Sequence, residues 1–382
     1  MSMKCGVRLI APPHFVVQEK FRSTRGKIAP MTLEEIRKKI NTIDFELLKL
    51  LNTRMEYALR TTNLKKGITD SRREDQVLDY IETHSQGLIK PEFCRNLFLQ
   101  IISESKRLQA DDLKLIGFQG EHGSFSEVAA MSLDLDLFCI SCGSVGDIFR
   151  GVENGFFDYG IVPVESSLGG TVVEVNEFLA DADLSLQIVG EISFPISYSL
   201  LTLPETDPDE IRVVYSGSTT LSYCGEYIYS NRLEARPFHG TAASAKMLQK
   251  DRPEASGAIA SGFCANYYNL KVVKEGIEDH PGNMTRFLVI SSEVKARGGD
   301  KCSIVFMTEH RAGALVEILG DFAEDGMNLT RIESMPKRND PGNYLFFLDF
   351  VGSPEDLNVR DILERVEKKA LFFKLLGCYP SA

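Results

Sequence analysis

Tryptophan is absent from this 382-residue chain, histidine occurs only 6 times, and there is no block of basic residues. Each shortage excludes something. The 8 cysteines are spread along the whole length instead of forming a dense framework, as expected of reduced thiols in a reducing cytoplasm. Only Cys139 and Cys142, in LFCISCGS, lie close together. Neither a second pair nor histidines follow at metal-ligand spacing, so packing is expected of them and no metal is implied. With 43 Lys and Arg against 54 Asp and Glu, the net charge of -11 has the wrong sign for a nucleic acid or an anionic membrane surface. The longest apolar runs, such as GIVPV and YLFFLDFVG, fall far below the ~18 residues that span a bilayer.

What is present is ample apolar material, 43% of the residues, enough for two or three globular domains. Residues 1–31 stand apart. The first 30 carry six basic residues and one acidic one and lack the apolar stretch of a signal peptide. A disordered extension is expected there, or an upstream start ahead of the natural beginning MTLEEIRKKI, with an organelle-targeting peptide as the other reading.

From Thr32 to about Lys66 apolar residues recur at Ile36, Ile40, Ile43, Leu47, Leu50, Tyr57 and Leu64, with neither Pro nor Gly inside. This predicts one helix of about 50 Å, opened by a capping box of Thr32 and Glu35. A small domain cannot cover such a helix alone, so a partner helix, most economically that of a second copy, is expected. Two more helices fit Arg72 to Thr83 and Pro91 to Asp111. Arg54 falls on the apolar seam of the first helix, which is costly unless its charge is used. Lys65 lies about 16 Å further along the same face, whereas Arg37 is rotated by roughly 100° and reaches the same small ligand only across a dimer. In the third helix Ser105 and Gln109, four apart, share a face.

Taken together, IRKKINTID, LLNTR, Lys65, the DxxRE of Asp70 to Glu74 and the SxxxQ of Ser105 to Gln109 resemble the all-helical chorismate mutase domain over residues 32–110. The implied reaction, chorismate to prephenate, is a pericyclic rearrangement that needs no nucleophile. Its site has only to compress a dianion and stabilise charge on an ether oxygen. By resemblance, Arg37 of one subunit and Arg54 of the other hold the two carboxylates, and Lys65 and Gln109 bond the ether oxygen. Glu74 and the backbone near Asp70 take the hydroxyl, with Arg73 and Ser105 in support.

Residues 113–292 alternate short apolar strands with helical stretches, an α/β pattern. Near its end, NMTRFLVISS places Thr285 and Arg286 before a buried strand, where alternation sends them to opposite faces. GFQGEHGSFSEVAA, DYGIVPVESSLGGTV, GAIASGFCANYYNL and NMTRF occur in the order seen in prephenate dehydratases. That resemblance implies a two-lobed, periplasmic-binding-protein-like fold with the substrate in the cleft. Thr285 is then the donor to the departing hydroxide, and Glu165, Ser166, Ser167, Thr171, Ser216 and Arg286 line the substrate site, Arg286 either holding a carboxylate or bracing the cleft. Where the family has Glu-Asn-Ser this chain has Glu165, Ser166 and Ser167. Where it has Ser-His-Pro-Gln this chain has SGST, and Tyr223 replaces a second glutamine. These departures leave room for a half retuned to arogenate or silenced.

After EVKARGGDK, residues 301–379 read strand, helix, strand, strand, helix, strand, an α+β ferredoxin-like order. HRAGALVEIL and NLTRIESMPKR resemble the ACT regulatory domain, which implies phenylalanine binding between subunits at Gly313, Ala314, Leu315, Glu333 and Ser334, with Met335 where the family has arginine. The whole therefore resembles a bifunctional chorismate mutase/prephenate dehydratase: cofactor-free, cytoplasmic, a homodimer or higher even oligomer, and feedback-regulated by phenylalanine. The non-enzymatic reading is an amino-acid-sensing binding protein.

Overall fold

The computed structural model describes residues 31–62, 67, 69–85, 87–111, 113–133, 137–293, 299–337, 340 and 342–382. They divide into two compact units, one ending at Thr53 and the other running from Arg54 to Ala382. The capping box is present: the Thr32 amide donates to Glu35 Oε2 at 2.7 Å, and the Glu35 amide to Thr32 Oγ1 at 3.2 Å. It opens α1 (Leu33–Arg60), on which Ile36, Ile40, Ile43 and Leu47 are all exposed. The helix is described to Arg60, and residues 63–66, over which the apolar pattern continues, lie outside the described residues; near its end the carbonyl of Ala58 accepts from the Thr61 hydroxyl at 2.7 Å and from Gln109 Nε2 at 2.5 Å. These two donors satisfy a carbonyl that another helical turn would have used. Asp70 caps α2 (Ser71–His84) by accepting from the Arg73 amide, and Pro91 opens α3 (Pro91–Ala110) at the position where its missing N–H costs nothing.

The middle of the chain forms β1 (Lys114–Gln119), α4 (Phe125–Met131), β2 (Leu137–Cys142), α5 (Val145–Glu153), β3 (Tyr159–Ser166), β4 (Gly170–Thr171), α6 (Val173–Leu179) and β5 (Gln187–Pro195). It continues through β6 (Ser199–Thr202), β7 (Val213–Ser216), α7 (Ser218–Tyr223), α8 (Gly225–Ser230), β8 (Glu234–Pro237), α9 (Thr241–Asp251), β9 (Ser256–Ala260), α10 (Phe263–Tyr267), β10 (Lys271–Glu275) and β11 (Met284–Ser291). Two sheets result, ordered β2-β1-β3-β11-β5 with β4 beside β3, and β10-β6-β9-β7-β8. The chain passes between them twice, after Pro195 and before Met284. The two passages are tied to each other, the Ile196 amide to the Asn283 carbonyl at 2.8 Å and the Ile277 amide to the Tyr198 carbonyl at 3.1 Å. Cys139 and Cys142 lie on opposite faces of β2, one against the Phe118 core and the other in the Ile140 core, so they share no ligand position. Burial pushes their thiols up to about 12 and about 11.

The last segment forms β12 (Lys301–Met307), α11 (Ala314–Glu324), β13 (Leu329–Pro336), β14 (Tyr344–Val351), α12 (Leu357–Lys369) and β15 (Phe372–Tyr379), with antiparallel sheet order β13-β14-β12-β15. One face, with Ile304, Phe306, Leu348 and Phe350, is covered by α11 and α12 through Ile318, Phe322, Ile362 and Val366. The other, with Val305, Met335, Leu345 and Phe347, joins the core of the first middle sheet through Ile188, Leu288 and Ile290. The contact is close enough to require glycine: a Cβ at Gly377 would stand 2.2 Å from the Ile188 carbonyl oxygen. Cys302 and Cys378, 76 residues apart, face each other across β12 and β15 and are joined as a disulfide. This corrects the expectation of reduced thiols throughout, because spacing along the chain carries no information about residues that a sheet places side by side.

Candidate active sites

The first site is a cavity of about 270 Å³ among α1, α2 and α3. Arg54, Asp70, Arg73, Glu74, Ser105 and Gln109 all line it. Arg37 belongs to the first half of α1, is exposed, and does not line it; Lys65 lies outside the described residues. Helical spacing explains the convergence, since Ser105 and Gln109 turn one face of α3 towards α1. Arg54 Nη1 donates to Ser105 Oγ at 2.6 Å, and Ser105 donates in turn to the Ile101 carbonyl at 2.9 Å. Burial lowers the pKa of Arg54, a cost that an anionic ligand would offset. Gln109 also donates to Thr61 Oγ1 at 3.0 Å. Glu74 Oε2 pairs with Lys106 Nζ at 2.7 Å, while its Oε1 is buried and takes no hydrogen bond among the described residues. That free acceptor suits a hydroxyl donor. Lys106 and Tyr57 also line the cavity, and the sequence reading missed both as site residues. Lys106 carried no signal, since only the packing of α3 on α2 brings it to Glu74.

The second site lies at the start of β11. Thr285 sits across from Ser166 of β3 and Phe194 of β5, and its hydroxyl makes no hydrogen bond with the described residues. Ser166 and Ser167 both donate to Asn283 Oδ1, at 2.9 and 3.1 Å, and the Met284 amide donates to Ser167 Oγ at 2.9 Å. Asn283, only 4% exposed, is therefore the organiser of this loop. The sequence reading passed over it, although an asparagine directly before a Thr-Arg strand start was the available cue. Thr171 pairs with Glu165 through β4, and a Cβ at Gly169 would stand 3.2 Å from the Tyr223 hydroxyl, which reaches in from the other sheet.

Two assignments need correction. Ser216 is fully buried and donates to the Ile259 carbonyl at 2.6 Å, so it fastens β7 to β9 and does not meet a substrate. Arg286 does not hold a substrate carboxylate. Its side chain is 10% exposed and its donors are occupied: Nε by Glu191 at 2.6 Å, Nη1 by Glu165 at 3.0 Å and Nη2 by the Tyr379 hydroxyl at 3.0 Å. Asp349 Oδ2 lies 2.7 Å from Nη1 as a charge contact. Burial works against the guanidinium charge, but Asp349, Tyr379 and Glu191 outweigh it and raise the pKa above the ordinary arginine value. Bracing, the other role read from the sequence, fits this geometry.

A third cavity, of about 350 Å³, opens beside the start of α11 and is lined by Thr308, Arg311, Leu315, Asn343, Tyr344 and Phe346 among others. Of the residues expected there only Leu315 lines it. Gly313, with φ 88°, sets the left-handed turn into α11, and Ala314 is buried behind it. Ser334 pairs with Phe346 on the helix-covered face, whereas Glu333 and Met335 pair with Phe347 and Leu345 on the face turned to the middle domain. Met335 therefore cannot stand in for a cavity arginine. The guanidinium at the cavity belongs to Arg311, which is bonded to Glu317 through both terminal nitrogens at 2.7 Å.

Comparison with known proteins matches residues 36–110 to the family chorismate mutase type II and residues 116–295 to the family prephenate dehydratase. A bifunctional chorismate mutase/prephenate dehydratase of Pseudomonas aeruginosa is 32% identical, covering 92% of this chain and 98% of the relative. One from Neisseria gonorrhoeae is 33% identical over 92% and 99%. Among solved structures, a prephenate dehydratase of Arthrobacter aurescens in complex with L-Phe superposes with a TM-score of 0.64 at 30% identity, covering 70% of this chain and 90% of that one.

Proposed function

Since the chain belongs to the bifunctional chorismate mutase/prephenate dehydratase family, we propose that the cavity among α1, α2 and α3 rearranges chorismate and that the Thr285 loop dehydrates the product. The activity is the conversion of chorismate through prephenate to phenylpyruvate. The observation that carries the site assignment is the convergence of six residues of the right chemistry on one cavity, with Glu74 Oε1 left open. Arg54 takes a carboxylate of the substrate, Glu74 accepts the hydroxyl, and Gln109 serves the ether oxygen by exchanging its bond to the Thr61 hydroxyl for one to the substrate. All of these contacts stabilise the transition state by charge and position alone. In the second step Thr285 donates to the departing hydroxide as carbon dioxide leaves, and aromatisation drives the reaction. A threonine hydroxyl is a weak acid, so its value is placement.

Two further parts of this reading rest on geometry. The uncovered apolar stripe of α1 supports a second copy as its cover, which would supply the partner's helix with its own Arg37 counterpart. The cavity beside α11, with Leu315 and Phe346 available to an aromatic ring, supports binding of phenylalanine, the ligand with which the Arthrobacter protein was solved. Purified protein given chorismate, with prephenate and phenylpyruvate followed separately and with or without phenylalanine, tests the whole. Phenylpyruvate should appear and phenylalanine should suppress it. Accumulation of prephenate would overturn the dehydratase assignment, and turnover of arogenate in its place would mark a retuned site.

A further inference from the structure

Glu165 does not stand free at the dehydratase loop; two arginines meet it from the side of the last domain. Arg286 reaches it from β11 while itself held by Asp349 of β14 and Tyr379 of β15, at 2.7 and 3.0 Å. Tyr379 and Ser303 lie 2.6 Å apart, and Ser303 donates to Asp349 at 2.6 Å, closing the ring of bonds behind the guanidinium. Arg331 comes from β13, two residues before Glu333. Its side chain is 7% exposed, its Nε lies 3.5 Å from Glu165 Oε2, its Nη2 donates to Asn176 Oδ1 at 3.3 Å, and its guanidinium rests over the Phe347 ring. Arg331 Nε makes no hydrogen bond among the described residues, so its tie to Glu165 is a charge contact. Glu165 itself remains 36% exposed, and the residue that follows it, Ser166, pairs with Thr285. Burying two guanidinium groups to hold one partly exposed carboxylate is a poor way to gain stability. It is a good way to fix where that carboxylate points.

We propose that Arg331 and Arg286 are positioning residues for the dehydration: by gripping Glu165 on the face turned to the last domain they fix the end of β3, and with it the adjoining Ser166 that sits across from Thr285 on the other face, so that the last domain is a working part of the dehydratase site. The proposal rests on the dehydratase reading given above. Both reactions are measured on the full chain: wild type, Arg331→Met, Arg331→Lys, Glu165→Gln and the double variant Arg331→Met with Glu165→Gln. Arg331→Met, which keeps much of the side-chain volume, should lower the dehydratase kcat by about tenfold with little change in KM, as expected for loss of a charged contact. Mutase kcat/KM, read at a separate cavity, should stay within about twofold, and Arg331→Lys should recover part of the loss. With Glu165→Gln already present, Arg331→Met should cost nothing further, because the two act through one contact. Three results would overturn the proposal: a dehydratase rate unchanged by Arg331→Met, parallel loss of both activities, or losses from the two substitutions that simply multiply. If wild type fails to release phenylpyruvate from prephenate, the proposal falls with the reading beneath it. If wild type succeeds and Arg331→Met equals it, only the proposal falls.

Discussion

The helical cavity and the β11 loop do their chemistry from opposite starting conditions. In the cavity, charged and amide groups are presented by helices, and one carboxylate oxygen, Glu74 Oε1, is left without a partner among the described residues. At the loop the polar groups are largely bonded to other parts of the protein: Ser166 and Ser167 to Asn283, Glu165 to Arg286. The Thr285 hydroxyl makes no hydrogen bond with the described residues. A rearrangement that needs its substrate folded and its charge matched calls for several charged and amide groups around one cavity. A reaction that needs one well-placed donor calls for one, and for a rigid frame around it.

The sharpest way to break this contrast is to remove the central charge of the cavity. Arg54→Ala should lower mutase kcat/KM by about 10³-fold while prephenate turnover is unchanged, assayed on the same preparation. A loss in both reactions would mean that Arg54 serves the fold. Next comes Thr285→Ala, for which dehydratase kcat should fall by about 10²-fold at nearly constant KM with the mutase unaffected. Equal loss in kcat and KM would place Thr285 among the framing groups. Lys106→Met should reduce mutase kcat/KM by only about fivefold, since its pair with Glu74 is partly exposed to solvent. A much larger fall would make Lys106 a substrate contact.

A last effect, read in stability and not in rate, concerns the joint between the regions. His122 lies between Glu56 of α1 and Glu127 of α4, at 2.8 and 2.5 Å, with Tyr267 of α10 stacked on it and Phe118 of β1 at its edge. Burial opposes its charge, but the two carboxylates raise its pKa to about 9. A folded-state pKa above the unfolded value near 6.5 means that the pairing stabilises fully below about pH 6.5 and is lost as pH rises through about 9. His122→Gln should therefore cost about 2 kcal/mol at pH 6 and almost nothing at pH 10, measured by denaturant unfolding at both. A difference independent of pH would show that packing alone is at stake.

How much of this was legible in the sequence follows the same contrast. Helices broadcast their faces: Ser105 and Gln109 could be placed together from spacing alone, and the Thr32 and Glu35 cap and the strand-helix order of the last domain could be read in the same way. Alternation along β11 correctly sent Thr285 and Arg286 to different neighbours, but it could not say that the neighbours of Arg286 are Asp349 and Tyr379, more than 60 residues on. Lys106 and Arg331 were unreadable for that reason. Each acquires its meaning from a partner that only the packing of separate elements supplies, and the Cys302–Cys378 pair is the same lesson in covalent form.

Asn283 has a mechanical consequence. Its carbonyl ties the two passages between the sheets, and its side chain gathers both serines of the loop. Any swing of one sheet against the other that bends the chain at residue 283 also scatters those hydroxyls. Holding the two sheets together and holding the serines in place are thus the work of one residue.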